Sequence, residues 1–392
     1  PNKGLGKVNW KLLYEKTDSL LKEVGLHVHP KTKLGHLSIA QQQLVEIAKA
    51  LSHESKVIAM DEPTSALSYN EIERLFELIE QLKKKGVGII YVSHKFDEIF
   101  RVTDRITVLR DGEKVGEVLT KETDHDELVS LMVGRKLDNL YPKVKVTPGD
   151  IVFEVKGLTS NSIYDVSFQV KKGEIVGFSG LMASGKTELA RAIFGLDQTI
   201  SGEILVNGKK IERNSVTKSV ESGIGYIPEN RKEEGLVLTG NVRDNMTIAI
   251  LKEFIHNGFF YKKKERKIVA QAVDKLKVKT QSIEQKIVSL SGGNQQKVIL
   301  ARWLIKKDLK VLILDEPTRG IDVGSKSEIY RLISELAEQG IAIIMMSSEM
   351  PELLSMCDWI YVMKEGRIVG QFSQSEATQE KLMSKALGGM ES

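Results

Sequence analysis

The chain repeats itself, and that repeat limits the folds open to it. VIAMDEPTSALS at 57–68 reads alike with VLILDEPTRGID at 311–322, which puts Asp61 and Asp315 254 residues apart (61 and 315). The same spacing relates YVSHKFDEI to MMSSEMPEL and RDGEKVGE to KEGRIVGQ, whereas LSIAQQQ at Leu37 and LSGGNQQ at Leu290 are one residue closer. A period this long means two copies of one domain, because stacked solenoids repeat every ~20–50 residues.

Each copy alternates short β-branched runs with helical periodicity. Val57–Met60 or Val311–Leu314 is followed by an amphipathic stretch and then by Gly88–Val92 or Ile341–Met346. Strands alternating with helices predict an α/β fold with a mainly parallel sheet. The polar segment Val133–Asp150, with Pro142 and Pro148, reads as a linker. It divides the chain into a first copy at 1–132 and a second at 151–392.

Composition excludes several classes. The longest apolar runs, such as Ile341–Met346, fall far short of the ~20 residues of a membrane-spanning helix, and no signal peptide opens the chain. Membrane attachment therefore has to come from a partner. The single cysteine, Cys357, allows no intrachain disulfide and reads as a core residue. With a net charge of only +4, the basic run Tyr261–Lys267 reads as a solvated helix face, and no nucleic acid is expected as a partner.

The chemistry begins at Gly180–Thr187, GLMASGKT, which fits G-x-x-x-x-G-K-[ST] between the apolar run Glu174–Phe178 and the helical stretch Glu188–Phe194. Gly180 and Gly185 let the loop turn its N–H groups, with Ser184, onto phosphate oxygens at a helix N-terminus. Lys186 is expected to reach the β/γ-phosphates and Thr187 to ligate Mg²⁺. At the end of Val311–Leu314, Asp315 suits Mg²⁺ coordination through water. Glu316 stands where a base polarises an attacking water, and Asp61 and Glu62 repeat the pair in the first copy.

A third element, Leu290-Ser-Gly-Gly-Asn294, opens the helix predicted over Gln295–Leu304, with Ser291, Gly292 and Gly293 offering a hydroxyl and bare N–H groups. A phosphate loop, then LSGGN, then DEPT in this order resembles the ATP-binding-cassette (ABC) ATPases. The resemblance implies tandem P-loop cassettes with antiparallel β and helical subdomains, binding ATP and Mg²⁺. It also implies that LSGGN acts on nucleotide held by an opposite cassette, so that two cassettes sandwich two ATP molecules.

The copies are unequal. Lys186 precedes Leu290 by 104 residues (186 and 290), and the same interval before Leu37 lies outside the sequence. The expectation is therefore of a tandem-cassette fragment whose first phosphate loop is absent. His94 occupies the position where the family keeps a γ-phosphate-contacting histidine, and Ser348 stands there in the second copy. Conversely, Ile39 and Ala40 replace the signature glycines, and Ser68 replaces the acidic Asp322. These differences imply a strong site using Asp61, Glu62 and His94 with Ser291–Gly293. The site at Lys186 is expected to bind tightly and turn over slowly.

EIAKALS, YVSHKFDEIF, LMVGRKL, GYIPENRKEEGLV, LDEPTRGIDVG and SSEMPELL are similar to the ATP-binding subunits of bacterial monosaccharide importers, and Gln379–Met383 is nearest the ribose-importing branch. The resemblance implies integral-membrane permease subunits as partners, a sugar-binding receptor indirectly, and residence at the cytoplasmic face of the membrane. Glu229 stands at the position of the Q-loop glutamine, and Pro228–Gly235 reads either as a polar turn or as a mobile loop facing nucleotide and permease. Leu236–Tyr261 is expected to form part of the permease-docking surface. Lysine at 186, where members often carry arginine, implies well-preserved nucleotide binding. A nucleoside importer stays open as an alternative. A soluble tandem cassette protein fits less well, since neither a long charged helical linker nor zinc-binding cysteines are present.

Overall fold

A computed structural model describes residues 8–53, 55–64, 67, 69–93, 95–110, 112–133, 141–144 and 146–388. Two units emerge, Pro1–Arg135 and Lys136–Ser392.

In the first unit, helices α1 (Trp10–Glu23) and α2 (Ile39–Leu51) precede strand β1 (Val57–Asp61), helix α3 (Tyr69–Lys84) and strand β2 (Gly88–Val92). Strands β1 and β2 pair in parallel, Val57 opposite Gly88 and Asp61 opposite Val92. On α3, Leu75, Leu78, Ile79 and Leu82 fall at helical spacing and are all buried against Ile58 and Met60. The opposite face of the pair is uncovered, with Val57, Ile90 and Val92 exposed. Helix α4 (Phe96–Val102), the antiparallel hairpin β3 (Arg105–Arg110) and β4 (Glu113–Leu119), and α5 (His125–Val133) gather a small cluster around Ile106, Val108 and Leu128.

The second unit starts with β5 (Ile151–Ser160), β6 (Val166–Lys171), β7 (Ile175–Ser179), α6 (Lys186–Phe194), β8 (Thr199–Val206), β9 (Lys209–Lys210), α7 (Val216–Glu221) and β10 (Ile224–Ile227). A helical section follows: α8 (Val242–Thr247), the two-residue strands β11 (Ile255–His256) and β12 (Phe259–Phe260), α9 (Lys262–Lys275) and α10 (Gly292–Leu304). The chain then returns through β13 (Val311–Asp315), α11 (Val323–Glu338), β14 (Ala342–Met346), α12 (Met350–Met356), β15 (Trp359–Lys364), β16 (Arg367–Ser373) and α13 (Gln379–Leu387).

Six strands form the central sheet in the order β10-β13-β14-β7-β15-β16, with only the β15/β16 pair antiparallel. The sequence β6-β5-β8-β9 makes a separate antiparallel sheet. Every residue of β7, β13 and β14 is buried, because helices cover both faces of a parallel sheet. Each fully buried Ile or Leu there contributes roughly 1.5–3 kcal/mol. Glycine permits the closest approach: a Cβ on Gly177 of β7 would stand 2.6 Å from the sulfur of Cys357, which is itself fully buried after α12.

The expected linker, 133–150, falls partly outside the described residues. The described part lies along the second unit. Tyr141 packs on Tyr330 with ring centres 5.0 Å apart, Lys143 pairs with Asp358 at 2.7 Å, and the Val144 N–H donates to Ser334 at 2.7 Å. In the basic run, Lys262–Lys264 are exposed and Glu265 turns inward.

Candidate nucleotide site

In a parallel sheet all carboxyl ends open on one side, and ligands collect there. Strand β7 ends there in the phosphate loop, β13 ends in Asp315 and Glu316, and β14, lying between them, leads to Ser348. Three loop residues hold the left-handed backbone that the turn requires: Gly180 (φ 155°), Ala183 (φ 61°) and Gly185 (φ 101°). A Cβ at Gly180 would meet the Met363 carbonyl at 2.6 Å, and one at Gly185 would meet Gly366 at 2.9 Å. The β15–β16 turn therefore braces the loop from behind, and the Gly366 N–H donates to the Ser184 carbonyl at 2.9 Å.

The side chains fit a phosphate and a divalent cation. Lys186 is buried, and burial holds its pKa below the ordinary lysine value; its ammonium turns back onto the Gly180 carbonyl at 2.6 Å. Ser184 Oγ is buried with no partner. Thr187 donates to Glu229 across 3.5 Å and lies beside Asp315. Asp315 is fully buried; Tyr226 reaches one of its oxygens at 3.4 Å and the other has no partner. That burial pushes its pKa up to about 7, with the Glu316 charge adding to the rise. Unsatisfied carboxylate and hydroxyl oxygens at one place cost free energy unless something binds them.

Glu316 sits beside Lys186 and Ser348; its pKa is raised by burial. Its backbone takes a left-handed turn (φ 46°) that bends the chain out of β13, with its N–H on the Met346 carbonyl at 2.9 Å. Glu62 repeats both features, φ 46° and an N–H on the Val92 carbonyl at 2.9 Å. Asp61 is exposed at the end of β1, and His94 and Ser68 lie outside the described residues.

Ser291, Gly292 and Gly293 stand elsewhere, at the start of α10, and no hydrogen bond among the described residues joins them to Lys186 or Thr187. Helix α10 begins at Gly292, three residues before the predicted Gln295, since Ser291 already has N-cap dihedrals. A Cβ at Gly293 would collide with Ser325 at 2.4 Å, and Asp322 caps α11 by accepting from the Ser325 N–H at 2.9 Å.

One polar feature escapes the motif reading. Glu352, wholly buried on α12, accepts hydrogen bonds from Thr318, Tyr330 and Ser347. In the first unit Glu98 accepts from Thr64 at 2.6 Å, Tyr91 at 2.8 Å and Ser93 at 3.3 Å. Both networks tie the DEPT segment to the end of the following strand. The threonines, serines and glutamates share the 254-residue spacing (64 and 318, 93 and 347, 98 and 352), so the repeat itself held that signal.

An ABC transporter family profile matches residues 10–65 and 163–319. The chain is 48% identical over 98% of its length to the Ribose import ATP-binding protein RbsA of Streptococcus agalactiae serotype III, spanning 78% of that protein. It is 49% identical, again over 98%, to a Putative ribose/galactose/methyl galactoside import ATP-binding protein of Halalkalibacterium halodurans, spanning 73% of it. The chain belongs to the ABC transporter family. Among solved structures, the ADP conformation of MJ1267, an ATP-binding cassette of an ABC transporter, superposes with a TM-score of 0.51 at 23% identity, covering 61% of this chain and 100% of that one. A nucleotide-free ATP-binding cassette from an ABC transporter gives 0.50 at 23% identity, covering 60% and 95%. The ABC cassette is thus the fold around Lys186, and the tandem α/β expectation holds.

Proposed function

We propose that this chain is the ATP-hydrolysing subunit that energises import of a monosaccharide of the ribose class through a membrane permease. One observation carries the reading: the phosphate loop, Thr187, Asp315 and Glu316 converge at the carboxyl ends of β7 and β13, in a chain nearly half identical along almost its whole length to proteins named for ribose import.

Lys186 and the loop N–H groups hold the β/γ-phosphates, and Ser184 donates its free hydroxyl to them. Thr187 and Asp315 would hold Mg²⁺, with Glu229 beside Thr187, and the ion would supply positive charge to the phosphate oxygens. Glu316 takes a proton from water as that oxygen bonds to the γ-phosphorus and the bond to the β-phosphate oxygen breaks. Ser348 lies beside Glu316 and offers no cation to the γ-phosphate, which supports slow turnover at this site. Ser291, Gly292 and Gly293 serve nucleotide held by an opposing cassette. Asp61, Glu62 and His94 are the corresponding metal-holding and catalytic set of the first copy.

For the permease, a groove of about 860 Å³ is lined by Phe194, Leu196, Val220, Ile248, Leu251 and Trp303, with Arg191, Lys252 and Lys306 also lining it. It includes part of the expected Leu236–Tyr261 docking surface. No helix among the described residues is long and apolar enough to cross a membrane, so docking here accounts for residence at the cytoplasmic face, with a sugar receptor acting through the permease.

Lys186→Ala is expected to weaken Mg·ATP binding by about 10- to 150-fold, the loss of charge-assisted hydrogen bonds, measured with a fluorescent nucleotide; unchanged affinity refutes the site. Leu251→Glu is expected to leave that affinity intact and abolish co-purification with the permease.

A further inference from the structure

Two residues beyond Glu229 the chain makes a single π turn, Arg231–Gly235, and it is tied to the surroundings of LSGGN from both ends. At its start, the Arg231 guanidinium donates to two consecutive carbonyls after DEPT, Arg319 at 2.7 Å and Gly320 at 2.9 Å. At its end, the Gly235 carbonyl accepts from Arg302 of α10 at 2.8 Å, a buried side chain that also holds the Asn245 carbonyl at 2.8 Å. A Cβ at Gly292 would stand only 2.6 Å from Arg231 Nη2 and 3.3 Å from the Gly320 carbonyl. A side chain at 292 would therefore displace the guanidinium from this position.

This arrangement is costly as mere packing. Among the described residues Arg231 has no carboxylate partner, and its Nε is buried without an acceptor. A half-buried guanidinium satisfied by carbonyls, with no carboxylate beside it, gives up solvation that packing alone does not return. What it provides is a planar two-pronged grip on adjacent peptide groups, which lysine cannot reproduce.

The other end of the linkage reaches the nucleotide site. Glu229 bonds Thr187 through one oxygen and pairs with Arg319 through the other. When a cation and phosphate claim Thr187, Glu229 changes partners, and the Arg319–Gly320 segment gripped by Arg231 moves with it. We propose that Arg231 is a positioning residue that passes the occupancy of the Lys186 loop to Ser291–Asn294, setting how the signature is presented. The inference rests on the reading of Lys186 as the ATP site. Arg231 touches neither nucleotide nor the reacting atoms.

The test compares hydrogen exchange at residues 295–297, whose N–H groups close the first turn of α10 on Ser291, Gly292 and Gly293, with and without Mg·ATP in the full chain, alongside fluorescent-nucleotide affinity. Wild-type protein should show about tenfold slower exchange there on binding, a change in local opening. Arg231→Ala should bind nucleotide with an affinity within about threefold of wild type and lose that slowing. A residue that only supports the fold would raise exchange equally in both states. Arg231→Lys, which keeps the charge and the bulk, guards against misfolding and should be uncoupled as well. A retained nucleotide response in either variant overturns the proposal, as does a wild type that binds ATP without any response at 295–297. Failure of the wild type to bind at all would instead strike the ATP-site reading, and the affinity arm reports that separately.

Discussion

Asp315 is the side chain on which the proposed nucleotide site turns. Its pKa is raised to about 7, above the ordinary 3.8, so the folded state holds a proton that the unfolded chain has released. Stability from this group is fully present below about pH 4 and is lost as pH rises through about 7. Without Mg²⁺, the melting temperature should fall between pH 5 and 8 by the equivalent of about 2–4 kcal/mol. Asp315→Asn should flatten that slope in thermal scans, and an unchanged slope would assign the proton elsewhere. Lys186, Thr187, Asp315 and Glu316 were legible because their chemistry demands fixed neighbours in sequence. Arg231 was not: its partners lie 88 and 89 residues away, and nothing local marks an arginine in a polar turn as a clamp. Glu352 was hidden for a related reason, since a lone glutamate on a short helix reads as surface until three hydroxyls are found around it.

At the scale of elements, the two signature helices differ in a way that single residues do not reveal. Ser38 and Ser291 have identical N-cap dihedrals, φ −62° and ψ 159°. Ser38 forms a capping box with Gln41: its hydroxyl accepts from the Gln41 N–H at 3.2 Å, and its own N–H donates to the Gln41 side-chain oxygen at 3.0 Å. The Ser291 hydroxyl makes no cap bond and accepts from the Asn294 side-chain amide at 2.9 Å. The first turn of α10 thus keeps its N–H groups open for an anion, whereas α2 closes its own. Ser38→Ala should cost about 1 kcal/mol in chemical denaturation and Ser291→Ala only a few tenths. Equal losses would mean that both serines are ordinary caps. Apolar periodicity located strands to within a residue, as for Gly88–Val92. It missed the start of α10, where the helix begins on two glycines whose propensity argues against it.

Over the whole molecule, duplication preserved the frame and let the contents diverge. Strands β13 and β14 sit inside a six-stranded sheet and are wholly buried, while β1 and β2 form a pair with one apolar face exposed. Both copies keep the left-handed glutamate after the strand and the carboxylate–hydroxyl network behind it. Mg·ATP at a hundredfold excess over its dissociation constant should stabilise the Lys136–Ser392 unit by about 2.7 kcal/mol. Calorimetry should register that gain in wild type and, at the same nucleotide concentration, only about 0.3–1.4 kcal/mol of it in Lys186→Ala; an undiminished gain would place the ligand elsewhere. Cys357, packed against Gly177 beneath the phosphate strand, has a further use. Complete burial pushes its thiol pKa upward and shields it from solvent, and it is the chain's one cysteine. A cysteine introduced at Met182, which is 97% exposed on the phosphate loop, would therefore be the single thiol open to a maleimide dye, and the native sequence could be labelled there without first removing Cys357.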